Sequence, residues 1–470
     1  MLIARFIIET VNPMHCGGGT DPLLDQPVTR DAYGSYFIPG TSLAGILRQL
    51  AKDCFGSENE KLLFGELSSN KTVSSSIWCS DAVFLDYDGI SVSSKILKGL
   101  KVDISMGPFV RDHVRLDLGT DVTSRGQKFD EEIIPPGARF SFELRADEWN
   151  QTCLTQDVYD SFLSLCSSIR NNEISFGGKK TSGYGLFKCL KYEVCDIDRS
   201  EPSQMLSWLK LSQNISFQEV GLKTIALSDT SLKDTPSENV TGVLDVPLKS
   251  EGPLIVGGSN LKDIDSDIDM VCLCTPYYDY ANKTFHNRYT IPGSSLRGVI
   301  RHDIYRIAKI LKLDADELIN SIFGKIDSND EGSNSVAGKI SVSDFYFDEN
   351  VNSVQVQHVA IDRFTGGALE GALYDEKPVW SRDDQINLKI NFKDLTVSET
   401  KLLLHAILDI ATGLIPIGGG VNRGNGTLTL VGLSEGIQSA IDEIDCNVLW
   451  NGDVYRKGDL SMLVEMLDGE

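Results

Sequence analysis

The sequence predicts an α+β fold built twice over: two tandem ferredoxin-like modules, each carrying an inserted hairpin. Three observations predict it. The chain repeats itself in ordered blocks, strands of period-two alternation mix with a few amphipathic helices, and both halves run through the same succession of elements.

The repeat is plainest where YFIPGTSLAGILRQL at 36–50 meets YTIPGSSLRGVIRHD at 289–303. Pro39, Gly40, Ser42, Leu43, Gly45 and Arg48 fall on Pro292, Gly293, Ser295, Leu296, Gly298 and Arg301 at one constant spacing. Four further pairs keep the same order: LFG with IFG, IWCSDAVF with ISVSDFYF, HVRLD with HVAID, and GGKKTSGYG with GGGVNRGNG. The third of these leads in both copies into G-x-x-[FY]-D-E, at 126–131 and 371–376. Modules at 1–195 and 240–433 follow. Residues 196–239 read as a polar linker with a helical stretch near MLSWLKLSQNI, expected to pack on the first module, and 434–470 as an acidic appendage.

Each module opens on an apolar strand (LIARFIIETV; VLDVPLKSEGPLIV) closed by glycines. An aspartate-rich loop leads to IPG. Thr41-Ser42 and Ser294-Ser295 then read as N-caps of an amphipathic helix. Alternating strands come next, then hairpins at about 113–131 and 358–376, with His113 and His358 at their bases. A return strand, a long helix, the glycine-rich loop and a last strand complete the module.

Composition narrows the function. Among 470 residues, 41% are hydrophobic and no stretch approaches the ~18 apolar residues of a membrane span. The N-terminus reads as a strand and not a signal peptide, so a cytoplasmic protein without a membrane partner is expected. The ten cysteines form no CxxC pair and the six histidines sit at no ligand spacing, which argues against structural zinc. A net charge of −23 argues against indiscriminate nucleic-acid binding. It leaves room for a local basic patch, such as Arg288, Arg297, Arg301, Arg306, Lys309 and Lys312.

Two features point to phosphate. The helix start offers free N–H groups beside Ser42 or Ser295, with Arg48 or Arg301 one face further on. The glycine-rich loops let backbone approach a phosphate, with Lys179, Lys180 and Arg423 supplying charge. The plainer readings are a helix cap and a tight turn; duplication of both features favours phosphate contact.

The order apolar strand, GG, D-x-P-V-x-x-D, Y-x-IPG-[ST]-S-L-x-G-x-[LI]-R, FG, HV-x-[LI]-D, glycine-rich loop resembles the RAMP superfamily. The likeness is closest to the repeated backbone subunits of type III CRISPR effector complexes, fused in tandem as in a III-D-like variant. It spans nearly the whole chain except linker and tail. The resemblance implies a guide RNA, a complementary target RNA and other effector subunits as partners. It implies that an RRM-like sheet, the helix start and the glycine-rich loop lie on guide phosphates, and that the hairpins displace bases. Ser42, Gly45, Arg48, Lys179 and Lys180 would hold RNA in the first module, and Ser295, Arg297, Arg301 and Arg423 in the second.

The resemblance also implies target-RNA cleavage with Mg²⁺ or another divalent cation and an aspartate in the loop before IPG. DQPVTRD places that residue at Asp25, with Asp31 ordering the loop. In KDIDSDIDMVCLCT, Asp269 aligns best, Asp267 is its rival, and Asp265 reads as a turn cap. Such a carboxylate can bind the cation or help activate a ribose 2′-OH. The plain alternative for Asp25 is a loop-capping carboxylate. His15 reads as structural. Two competing functions stand beside target cleavage: a non-catalytic RNA scaffold, and a metal-independent guide-processing ribonuclease, which would need a histidine or lysine base.

Overall fold

A computed structural model describes residues 1–22, 24–67, 72–117, 123–147, 154–171, 174–211, 216–227, 239–258, 268–325, 335–347, 351–380, 385–433, 436, 444–450 and 453–455. In the first half, strands Leu2–Thr10, Ala82–Phe84, Arg139–Ala146 and Leu186–Asp196 come in the spatial order fourth, first, third, second, all antiparallel. Helices Gly40–Phe55 and Gln156–Asn171 follow the first and third of them. This is the ferredoxin-like arrangement. The second half repeats it with Val240–Ser250, Ile340–Val342, Ile386–Leu395 and Leu428–Leu430, carrying helices Gly293–Ile310 and Val397–Ala411.

Side-chain periodicity explains the packing. Leu2, Ala4, Phe6 and Ile8 alternate onto one face of the first strand. They meet Leu43, Leu47 and Ala51 of one helix and Phe162, Leu165 and Ile169 of the other. The intervening Ile3 points to the opposite face, where Cys195, Ile197, Phe217 and Leu222 enclose it. Residues 196–211 and 216–227 therefore do more than link: helix Pro202–Lys210, Phe217 and Leu222 cover the outer sheet face around Ile3 and Arg5. At that end of the sheet, the face that an RRM-like reading gives to RNA is occupied by the chain itself.

The C-terminal region also contributes to a sheet. Leu428–Leu430 pairs with the Leu248–Ser250 end of the opening strand, and Asp445–Trp450 pairs with Thr241–Asp245 beside it. The fourth position of the second sheet is thus filled by two segments in succession.

The helix starts correct the expected caps. Each helix begins at the glycine of IPG, with Pro39 or Pro292 at the cap and no bond from Thr41-Ser42 or Ser294-Ser295. The first amide is satisfied instead by an aspartate from a distant connection between two strands. Gly40 N donates to Asp81 Oδ1 and Gly293 N to Asp344 Oδ1, both at 2.7 Å. A carboxylate at the positive end of the helix dipole serves as well as a local cap. The glycine is required because a Cβ there would lie 2.7 Å from Cys79 O, or 2.0 Å from Val342 O.

The longer insertion before the second IPG is a docking arm. Strands Cys274–Asp279 and Thr284–Ile291 form a hairpin whose Tyr278 and Tyr280 join the core of the first module. Their hydroxyls donate to Ser105 O and Leu85 O, each at 2.5 Å. Beside them Arg111, 2% exposed, donates to Asp344 at 2.9 Å and to Thr275 at 2.7 Å, both in the second module. The buried charge is paired and hydrogen-bonded, as burial demands.

Candidate cleavage loops and RNA interface

The loop at Asp25 is held by the base of the first hairpin, strands Val110–Leu116 and Thr123–Glu132. Gln26 pairs in parallel with Glu131, and Glu132 N donates to Gln26 O at 2.9 Å. Two aspartates close the end of this ladder. Asp25 N donates to Asp130 Oδ1 at 2.8 Å, and Asp130 N donates to Asp25 Oδ2 at 3.1 Å. The side chain of Asp25 is exposed, held by its neighbour and not by burial.

The second module reproduces this geometry despite its rebuilt loop. Met270 and Val271 pair in parallel with Glu376 and Lys377 of the hairpin Val356–Ile361, Ala368–Lys377. Asp375 N donates to Asp269 Oδ2 at 3.0 Å, as Asp130 N does to Asp25. Asp269 is therefore the structural counterpart of Asp25. Asp265 and Asp267 lie outside the described residues.

Behind each aspartate pair sits a buried glutamate. Glu131 is fully buried, with His113 Nε2 at 3.0 Å and Lys179 Nζ at 2.9 Å from its Oε2. His15 Nδ1 is 3.5 Å from Oε1 and 2.9 Å from Glu132 O, which makes His15 a structural residue. Burial alone would raise the Glu131 carboxyl; the His113 hydrogen bond and the Lys179 charge outweigh it and hold it below its ordinary value. Burial pushes the Lys179 ammonium down, against the pull of Glu131. In the second module His358 lies 3.2 Å from Glu376, and Arg423 forms an ion pair with the same carboxylate. Each histidine stacks on the aromatic residue before the Asp-Glu pair, Phe129 or Tyr374, at 5.1 and 5.0 Å.

These contacts relocate several residues assigned to RNA. Lys179 and Arg423 each face a buried carboxylate. Arg48 pairs with Glu60 and donates to Gly65 O at 3.1 Å, while Arg297 donates to Phe323 O at 2.7 Å. Both arginines thus pin the FG turn after the following helix. Burial, with Arg301 nearby, brings the Arg297 guanidinium down to about 10. Arg301 is half-buried on the same helix, and Lys180 is exposed, its carbonyl accepting from the Ser341 hydroxyl of the second module.

The outer side of the helix starts is open. Ser42 is exposed and Ser295 half-buried, and a Cβ at Gly45 or Gly298 would meet nothing within 4 Å. The glycine-rich loops, by contrast, have internal reasons for their glycines. Gly185 and Gly426 hold φ of 74° and 82°, and a Cβ would lie 1.7 Å from Phe176 O and 1.9 Å from Ile417 O. Asp31 orders its loop by accepting from Tyr33 N and Ser35 N.

The G-x-x-[FY]-D-E repeat marks Asp130, Glu131, Asp375 and Glu376 in the sequence. The parallel pairing that brings them to Asp25 and Asp269, and the place of Arg111, are visible only in the structure.

The family model described as RAMP superfamily matches residues 7–188 and 280–429. The chain belongs to the RAMP superfamily. A curated RAMP relative, "CRISPR system Cms endoribonuclease Csm3" from Methanocaldococcus jannaschii, is 24% identical over 204 residues, covering 40% of this chain and 77% of that protein. Solved structures of the type III-B Cmr-beta complex, one in the apo state and one bound to cognate target RNA, align at 16% and 15% identity. Their TM-scores are 0.32 and 0.31, each covering 40% of this RAMP chain and 96% of the matched chain. No helix among the described residues is long and apolar enough to cross a membrane.

Proposed function

We propose that this RAMP protein is a backbone subunit of a type III CRISPR ribonucleoprotein that holds guide RNA and cleaves complementary target RNA at two loops. The duplicated aspartate pair carries the reading: Asp25 with Asp130, and Asp269 with Asp375, at the same place in both modules. The carboxylate position is kept although the two loops differ in sequence. The endoribonuclease name of the archaeal relative agrees with it.

Residues suited to a divalent cation are present but form no cage. Among the described residues no three His, Cys, Asp or Glu side chains gather as a ligand set. A Mg²⁺ that keeps most of its waters needs only one or two carboxylates and a substrate phosphate. Asp25 and Asp130 each spend one oxygen on the other's amide, and Asp375 Oδ1 is buried with no hydrogen bond. These pairs would hold the ion. When bound, it would neutralise charge on the scissile phosphate and favour ionisation of the attacking 2′-OH. The protein's part is to fix the carboxylate, position the ribose for in-line attack and exclude slack from the loop.

The open helix faces at Ser42–Gly45 and Ser295–Gly298 are the surfaces for RNA backbone, read by shape with sequence left to base pairing. The test uses the assembled complex with its RNA. The double variant Asp25→Ala/Asp269→Ala should bind target and leave it uncut, and EDTA should stop the wild type. Cutting that survives both treatments would contradict the proposal. Binding without any cutting by the wild type would favour the scaffold reading, and cutting in EDTA the metal-independent ribonuclease.

A further inference from the structure

A buried polar chain runs from the second module to the first cleavage loop. Asp344 Oδ2 accepts from Arg111 at 2.9 Å. Arg111 reaches the Tyr184 hydroxyl at 3.3 Å, and that hydroxyl lies 3.2 Å from His113 Nε2. His113 lies 3.0 Å from Glu131, whose neighbour Asp130 grips Asp25. Arg111, Tyr184, Glu131 and Asp344 are all buried, so the charges act at low dielectric and tolerate little displacement. Burial raises the Tyr184 hydroxyl well above its ordinary value, which keeps it a neutral hydroxyl whose oxygen accepts from Arg111.

The second module stops short of such a chain. In the hairpin register Arg111 faces Glu131, and the residue facing Glu376 is Val356. The counterpart of Tyr184 in the glycine-rich loop is Asn425. His358, Glu376 and Arg423 remain, but among the described residues no side chain corresponding to Arg111 ties them to another module.

We infer that Asp344 and Arg111 are positioning residues for the Asp25 loop alone: docking of the second module completes the first site, while the Asp269 site is independent of that contact. This rests on the cleavage reading above. Nothing in the chain touches the reacting atoms; it sets where Asp130, and through it Asp25, stands.

The experiment maps cuts on an end-labelled target RNA bound to the assembled complex. Asp25→Ala and Asp269→Ala first assign each cut to its loop. Arg111→Met should then lower the Asp25-dependent cut by about tenfold or more, the order expected of a misplaced group. It should leave the Asp269-dependent cut within about twofold and target affinity unchanged. Arg111→Lys should restore part of the loss. Tyr184→Phe keeps the Arg111–Asp344 pair and the module interface while breaking the link, so it tests the chain even if Arg111→Met folds poorly; its expected result is the same selective loss. Equal loss at both cuts, loss at the Asp269 cut only, or no loss in Tyr184→Phe would overturn the inference. If neither aspartate variant removes a cut, the cleavage assignment itself has failed, which is a different outcome.

Discussion

Lys179 brings its ammonium 2.9 Å from Glu131, whereas in the second module Arg423, three loop positions further on, reaches Glu376. The loop position equivalent to Lys179 is Gly420, and both adopt left-handed backbone, with φ of 53° and 68°. The Arg423 guanidinium lies 3.0 Å from where a Gly420 Cβ would be. Two different residues thus put a cation in one place. The requirement is neutralisation of a buried glutamate, not a particular side chain.

A transplant tests this equivalence. Arg423→Ser should destabilise the second module by about 2 kcal/mol, below the usual cost of an unpaired buried charge because Arg423 is partly exposed. Adding Gly420→Lys should recover part of it, the restored ion pair outweighing the left-handed strain once Asn425, whose Nδ2 lies 2.6 Å from that Cβ, moves aside. Chemical denaturation reads both. No recovery would mean the loop, and not its charge, is what Glu376 needs.

Glycines at the module interface should be unequal to their counterparts. Gly183 holds φ 82° and a Cβ there would lie 2.2 Å from Val342 O of the second module; Gly424 holds φ 90° with nothing within 4 Å. Both alanine variants carry left-handed strain of about 1–2 kcal/mol. Gly183→Ala should cost about 2 kcal/mol more from the backbone clash. Equal melting shifts would contradict the docked arrangement.

Acid should weaken the first module through Glu131. Its folded pKa is depressed from 4.5, so its stabilisation is present above the unfolded value and lost as pH falls through the folded one. Stability followed below about pH 4.5 should therefore drop, and Glu131→Gln should flatten that acid limb. An unchanged limb would place the acid-sensitive group elsewhere.

Much of this architecture was legible in sequence because duplication supplies its own control. Blocks such as IPG-x-S-L-x-G recur at matched positions, and period-two strands with amphipathic helices sufficed for the α+β reading. The motif and the internal repeat pair Asp25 with Asp269, and their contacts to Asp130 and Asp375 show why those two positions correspond. The partners of charged residues were not legible. Arg48, Arg297, Lys179 and Arg423 look alike as free cations in a sequence, and only tertiary contact reveals Glu60, Phe323 O, Glu131 and Glu376 opposite them. The caps are hidden for the same reason: Asp81 and Asp344 reach Gly40 and Gly293 from connections between strands, 41 and 51 residues away. The docking arm looked like a loop insertion because its strand pairing buries tyrosines in another module's core.

On the proposed function, one chain carries two cutting loops, one in each module. The direct measurement is nucleotide-resolution mapping of target RNA cut by the assembled complex carrying Asp25→Asn or Asp269→Asn singly. Two cuts in the wild type, with a different one missing in each variant and target binding intact, is the predicted result. A pattern unchanged in both variants would contradict it.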